Sequence, residues 1–189
     1  NYTNLNDGSV ELDEDGGGAD GTITYTGLEP ISSTLTAANV VLNYGTASET
    51  ITVSDGATAG QTNVNSSAGE TTDFNNPTAS LTINAGAGND TIDVNDVDAA
   101  LPATVALTIS GDAGTDDVNF DTRLVINGLS VTADSITFED DADVTSIGAT
   151  LTAQGGDITF TAGGHLHAGV ANSATLSATN GSITGTDGG

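Results

Sequence analysis

The chain repeats itself. Residues 148–164, GATLTAQGGDITFTAGG, align with 173–189, SATLSATNGSITGTDGG, at a constant offset of 25, and ten of the 17 positions are identical. A period of this size marks a unit that cannot bury its apolar side alone and does so against its neighbours. Working back from Leu176, the same phrase recurs at Leu151, Leu129, Leu107, Leu81 and Ile51. These six residues are read as the starts of six successive turns. Each complete turn divides into three short strands. The first carries the Leu-Thr-Ile phrase. The second falls at 62–64, 91–94, 117–120, 135–138, 157–160 and 182–185, and the third at 71–74, 101–105, 124–126, 144–147 and 165–170.

Within these segments apolar residues alternate with polar ones, as in Ser80-Leu-Thr-Ile-Asn84. Period 2 with Val, Ile, Thr and Phe is the pattern of a half-buried strand. No stretch has a capped helical period. The expected fold is all-β, a right-handed parallel β-helix (β-solenoid) with three short strands per turn and about six turns over 51–189. Residues 1–50 are read as an irregular β segment continuous with it. Stacked turns would rise by roughly 4.8 Å, one strand spacing. Alternation points Ile136 and Phe138 inward and Thr137 outward. Phe120, Phe138 and Phe160 hold equivalent positions and should stack as an internal aromatic ladder, continued by Val94 and Val64. Neither end shows a polar cap, so further repeats or neighbouring copies are expected to cover the ends.

Charge narrows the partners. One basic residue, Arg123, faces 26 acids, and the net charge is −25. Nucleic acid and anionic membranes both require Lys and Arg to neutralise phosphate, so neither is an expected partner. No apolar run is long enough for a spanning helix. Such a surface attracts cations. Twenty of the acids are Asp, which suits turns and calcium ligation. There is no Cys, which excludes disulfides and thiolate metal sites. Low hydrophobicity with high charge often means disorder, but 36% of the residues are apolar and they are patterned.

Two corners carry candidate chemistry. One reads Ala85-Gly86-Ala87-Gly88-Asn89-Asp90-Thr91-Ile92-Asp93, the next Gly111-Asp112-Ala113-Gly114-Thr115-Asp116-Asp117-Val118-Asn119. They lie 26 residues apart, one turn, and should stack. Both resemble the G-G-x-G-x-D-x-U-x nonapeptide of the calcium-binding RTX (repeats-in-toxin) family, each with one departure, Ala85 and Asp112, at a glycine. The resemblance implies calcium held at Gly86, Gly88, Asp90, Asp93, Asp112, Gly114 and Asp116. In that reading the glycines supply carbonyls, and Asp90 and Asp116 supply carboxylates. Calcium takes 6–8 oxygens in irregular geometry. The family runs its nonapeptides back to back, whereas here a whole turn separates them. A further acidic corner spans residues 13–20. Stretches such as LTAQGGDITFTAGG are similar to the β-helical repeats of filamentous-haemagglutinin-like exoproteins. The run ITYTGLEPI looks like segments of giant bacterial surface proteins. These likenesses imply export and an adhesive or matrix role.

Other constellations are weaker. His165 and His167 flank Leu166 and share a face, but zinc needs a third ligand and the sequence offers none nearby. The residues after each first-strand Leu or Ile, Thr52, Thr82, Thr108, Ser130, Thr152 and Ser177, form an outward hydroxyl row. Ice-binding solenoids use such arrays, and a glycan is a second possible occupant. Asp116-Asp117 and the acids of 139–143 are formally acid pairs for glycoside chemistry. Sugar-cleaving β-helices offer basic residues and aromatics, and this chain has no Lys and no Trp. The reading is therefore a non-enzymatic, extracellular, structural or adhesive module. It is stiffened by calcium, and its partners are its own copies, other surface proteins or glycans.

Overall fold

The computed structural model describes residues 2–4, 7–12, 21–26, 31–169 and 173–185. The acidic corner at 13–20, Val170 and Gly188-Gly189 lie outside the described residues. The described chain is all β. Three strands come first: β1 (Tyr2–Asn4), β2 (Asp7–Leu12) and β3 (Gly21–Thr26). Then follow β4 (Ile31–Ser33), β5 (Asn39–Asn43), β6 (Thr50–Asp55), β7 (Gln61–Ser66) and β8 (Thr72–Asn75). Next are β9 (Ser80–Asn84), β10 (Thr91–Asn95), β11 (Ala106–Ser110), β12 (Asp117–Asp121), β13 (Arg123–Ala133) and β14 (Ser135–Phe138). The last are β15 (Asp143–Ala153), β16 (Ile158–Phe160), β17 (His165–Ala168), β18 (Ala174–Ala178) and β19 (Ile183–Gly185).

Strands β1, β2 and β3 form a small antiparallel sheet. The remainder forms two larger sheets. A seven-stranded sheet runs β17-β15-β13-β11-β9-β5, with β18 also on β15. A nine-stranded sheet runs β19-β16-β14-β12-β10-β6-β7-β8-β4. From β5 to β17 the chain alternates between these two sheets, interrupted by the β7–β8 hairpin, and each return places a strand parallel to its predecessor in the same sheet. Strands β17 and β18 then lie in succession on β15, before β19 returns to the other sheet. Antiparallel neighbours need only a tight turn, whereas parallel neighbours need a crossover, and here the other sheet supplies it.

The alternation read in the sequence is what the core uses. Strand β10 shows burial at Ile92 and Val94 with partly exposed residues between, and β11 does the same at Leu107 and Ile109. Inward residues of both sheets meet in one cluster that includes Ile83, Ile109, Val131 and Leu151 from one and Val94, Phe120, Phe138 and Ile158 from the other. The aromatic ladder is present. Phe138 stacks on Phe120 at 4.9 Å and 11°, and on Phe160 at 4.8 Å and 12°.

Several expectations are corrected. Ile51 does not start a turn equivalent to that of Leu81. Strand β6 pairs with β10, Ile51 opposite Ile92, while Val40 of β5 lies opposite Leu81. Both offsets are 41. The long repeat is accounted for by the antiparallel hairpin β7–β8, inserted between β6 and β9. Parallel stacking therefore already includes Asn39–Asn43, upstream of residue 51. Val53, not Val64, continues the aromatic ladder beyond Val94, and Val64 lies across the hairpin from Val53. The third strand is a separate element only in the last repeat, where His165–Ala168 forms β17. Residues 124–126 and 144–147 are the leading halves of the 11-residue strands β13 and β15, residues 101–105 form turns, and Thr72–Asn75 belongs to the hairpin. The alternation slips by one residue at Asn127-Gly128 and at Ile147-Gly148, which reads as a break between two short strands, whereas the strand continues through the slip.

Phe138 is fully buried between two rings. We expect Phe138→Ala to cost about 3–5 kcal/mol, from lost transfer energy plus the cavity left behind. Thr137→Ala, one residue away on the outward face, should change stability by no more than about 0.5 kcal/mol. Urea unfolding of the two variants checks this, and similar losses in both would show that the ladder is not the core.

Candidate functional site

The two Gly-Asp corners do stack, and each rests on its neighbour through backbone. Ala87 and Ala113 form a parallel bridge; Gly88 N–H donates to Ala113 O at 2.9 Å, and Ala113 N–H donates to Gly86 O at 3.0 Å. Beneath them sits a third corner that the repeat pattern did not reveal, residues 44–49. Ala87 N–H donates to Gly45 O and Thr91 N–H to Glu49 O, both at 2.9 Å. Stacking explains the glycines without a ligand. Gly86 has φ 93°, and a Cβ there would lie 2.1 Å from Gly45 O. Gly114 has φ 148°, and its Cβ would lie 1.4 Å from Gly88 O. Asp112, which replaces a glycine of the motif, still adopts φ 66°, a region Asp tolerates better than most residues. Its carboxylate takes the Ser110 hydroxyl at 2.6 Å.

The aspartates of the motif turn inward. Glu49, Asp90 and Asp116 are buried at 6%, 1% and 1% exposure. They hold the same place in successive corners, and Asp134 continues the line. Glu49 N–H donates to Asp90 Oδ1, Asp90 N–H to Asp116 Oδ1, and Asp116 N–H to Asp134 Oδ2, each at 2.9 Å. Each carboxylate thus pins the backbone of the preceding corner. A carboxylate accepting a backbone N–H is a strong bond, but a column of buried acids is costly to ionise. Burial holds the Asp90 carboxyl above its ordinary range, against the pull of the Glu49 N–H. Burial likewise raises Asp116, which the Asp90 N–H lowers and the charges of Asp90, Asp134 and Asp112 raise further. Glu49 is raised by burial, lowered by the Ser66 hydroxyl that donates to it, and raised by the Asp90 charge.

One atom of this column stands out. Asp90 Oδ2 is buried without a hydrogen-bond partner. Such an oxygen is satisfied by a proton or by a cation. The other residues implied for calcium separate into two groups. Gly86, Gly88 and Gly114 lie beside this column, and the Gly86 carbonyl is already bonded to Ala113. Asp93 lies in β10 on the outward side of the nine-stranded sheet, accepting Asn119 Nδ2 at 2.9 Å, away from the corner. Among the described residues no three His, Cys, Asp or Glu side chains are already gathered around a common point as a metal centre.

The outward face of the seven-stranded sheet is more regular than expected, but in a different register. Thr52 is not part of it, since it lies opposite Asp93 in the other sheet. Ser130 lies opposite Thr150, and Thr152 opposite Thr132. One column therefore runs Thr82, Thr108, Ser130, Thr150, Thr175, and a second Asn84, Ser110, Thr132, Thr152, Ser177. The two extra residues that mislead a sequence alignment are in the corner between β15 and β16. Strand β13 pairs with β15 at an offset of 20, and β14 with β16 at 22. The apolar recess below the insertion, between Val53, Leu81, Val94 and Leu101, holds 10 Å³, about the room of one water.

Sequence reasoning missed three buried acids, Glu49, Glu70 and Asp98. Asp98 ties the inserted hairpin down. Its Oδ2 accepts Gly60 N–H and Asn76 Nδ2, and its Oδ1 accepts Ala100 N–H, all at 2.8 Å. The 41-residue offset would have found Glu49, because it places that residue over Asp90. No family model matches the chain, and neither the curated proteins nor the solved structures give a match.

The raised acids set a pH dependence. Their folded affinity for protons exceeds that of the unfolded chain, whose carboxyls titrate near about 4. Their contribution to stability is complete below that value and is lost as pH rises through the raised folded values. Asp90→Asn keeps the acceptor for Glu49 N–H and removes the charge. In chelator, its stability relative to the parent chain should improve as pH rises above about 4, where the unfolded carboxyl titrates. A relative penalty that grows with pH in thermal melts would show that the charge is needed.

Proposed function

We propose that this chain is a structural segment of an extracellular β-solenoid rod that associates with copies of itself or with other surface proteins and glycans. The observation that carries the reading is the register. Successive parallel strands put like residues over like, Leu107 on Leu81 and Phe138 on Phe120, so each repeat offers the next the same template. A stack of that kind is a rod by construction, and its stability is a sum of neighbour contacts. Parallel crossovers within one sheet are right-handed in about 98% of cases, which supports a right-handed coil. Calcium is the proposed counter-ion. Asp90 Oδ2, with Glu49 and Asp116 on either side, is the place where a cation relieves buried charge. Nothing in the chemistry of these columns calls for a catalytic role.

A second reading rests on the hydroxyl columns of the seven-stranded sheet. Their spacing, about 4.8 Å along the stack and about 6.8 Å along each strand, follows from strand geometry. A flat array of this kind suits an ice or glycan surface. Shaped, arrested ice growth, or retention on a glycan array lost in Thr108→Tyr, would favour it.

Electron microscopy of the purified chain with calcium and with chelator tests the first reading. Filaments or laterally joined rods are the expected outcome, lengthened by calcium and shortened by Asp90→Ala with Asp116→Ala. Isolated compact particles in both conditions would sink self-association. Assemblies indifferent to calcium would keep the rod and remove the ion.

A further inference from the structure

Among the described residues, one patch that differs chemically from its acidic surroundings lies on the outward side of β13, β15 and β17. It gathers Arg123, the chain's one basic residue, and both of its histidines. Arg123, Asp143 and His165 are successive partners across the three strands, and Val125, Thr145 and His167 are the next row. His165 and His167 are two residues apart on a strand, so their rings share a face. The ring centroids are 5.7 Å apart, tilted by 30°. The strand before them supplies what the sequence did not show, a carboxylate. His167 Nε2 stands 3.4 Å from Asp143 Oδ1.

That distance is long for a good hydrogen bond. It does match the edge of a tetrahedral metal centre, where bonds of about 2.0–2.1 Å set donor atoms about 3.3–3.4 Å apart. We propose that Asp143, His165 and His167 bind a divalent transition-metal ion, of which zinc is the representative, with the remaining position open to water. The site is half assembled. His167 and Asp143 already stand at coordinating separation, and His165 turns about its side-chain bonds to join them, because the three side chains do not converge on a common point without that rotation. The side chains of His167 and Asp143 are 58% and 45% exposed, so both are open to an ion from solvent. Arg123 Nε lies 3.9 Å from Asp143 Oδ2 with its side chain 81% exposed, so it is a weakly held competitor that swings away. Two imidazoles select zinc, copper or nickel over calcium, which takes oxygen ligands. This site is therefore separate from the Gly-Asp corners, and its failure would leave the structural reading untouched. The bound ion would pin β17 to β15.

Zinc titration of the whole chain by calorimetry, in excess calcium so that the all-oxygen sites are filled, tests the proposal. One saturable site is expected. His165→Ala and His167→Ala should each weaken it by about tenfold or more, since even outer partners of a metal ligand cost that much. Asp143→Asn should also weaken it, and Arg123→Ala should leave it equal or tighter. Copper bound to the unmutated chain should show coupling to two nitrogens in electron paramagnetic resonance, a readout that needs no folded variant. No saturable zinc binding would overturn the proposal. So would binding unchanged in the double His165→Ala, His167→Ala chain, or copper coordinated by oxygen alone.

Discussion

The parallel backbone ladder between successive repeats is the interaction on which the rest depends. A parallel pair in register sets each residue directly beside its counterpart, not beside a complement. Whatever a repeat carries at one position is therefore multiplied along the stack. Where the residue is apolar, the consequence is favourable. The Phe120–Phe138–Phe160 stack and the inward columns through Ile83, Ile109 and Val131 are all products of that rule. Where the residue is an acid, the same rule brings like charges together, as in Glu49, Asp90, Asp116 and Asp134.

The acid column shows how such a cost is offset. Asp90, Asp116 and Asp134 each accept the backbone N–H of the preceding corner, so groups that repel are also groups that hold the corners in line. Burial disfavours the charged form while the hydrogen bonds favour it, and burial is the larger influence on all three raised acids. The column is sensitive to protons and to cations for the same reason. Asp98, by contrast, accepts from three donors, and it serves the inserted hairpin rather than the stack.

Insertion and corner length explain how this fold departs from a uniform repeat. The hairpin β7–β8 lengthens one repeat to 41 residues without disturbing the strands on either side, because Ile51 still meets Ile92 and Val40 still meets Leu81. Corners vary in the same way. Strand β12 pairs with β14 at an offset of 18, whereas β11 pairs with β13 at 22, so the corner after β11 is four residues longer than the next. Pairing energy belongs to the strands, and loop length changes the closure entropy only slowly. The corners are free to differ, and that freedom is where candidate chemistry collects.

The all-β class, the inward and outward alternation, the Phe ladder and the stacking of the two Gly-Asp corners were all legible in the order of the residues. These follow from period 2 and from a repeat, which are local or nearly local properties. Tertiary structure alone decided the register. Similarity between phrases such as LSVTADSITF and LTAQGGDITF aligns the strands after the corner and misaligns those before it, which puts Thr152 beside Ser130, while the inserted hairpin puts Ile51 under Leu81. Register also decided which acids meet. Glu49 joins Asp90 only across an insertion, and Asp143 reaches His165 and His167 only across a strand pair. A one-dimensional pattern names the face a side chain occupies, but its neighbour on that face depends on the length of the chain between them, and pairing through space resolves that.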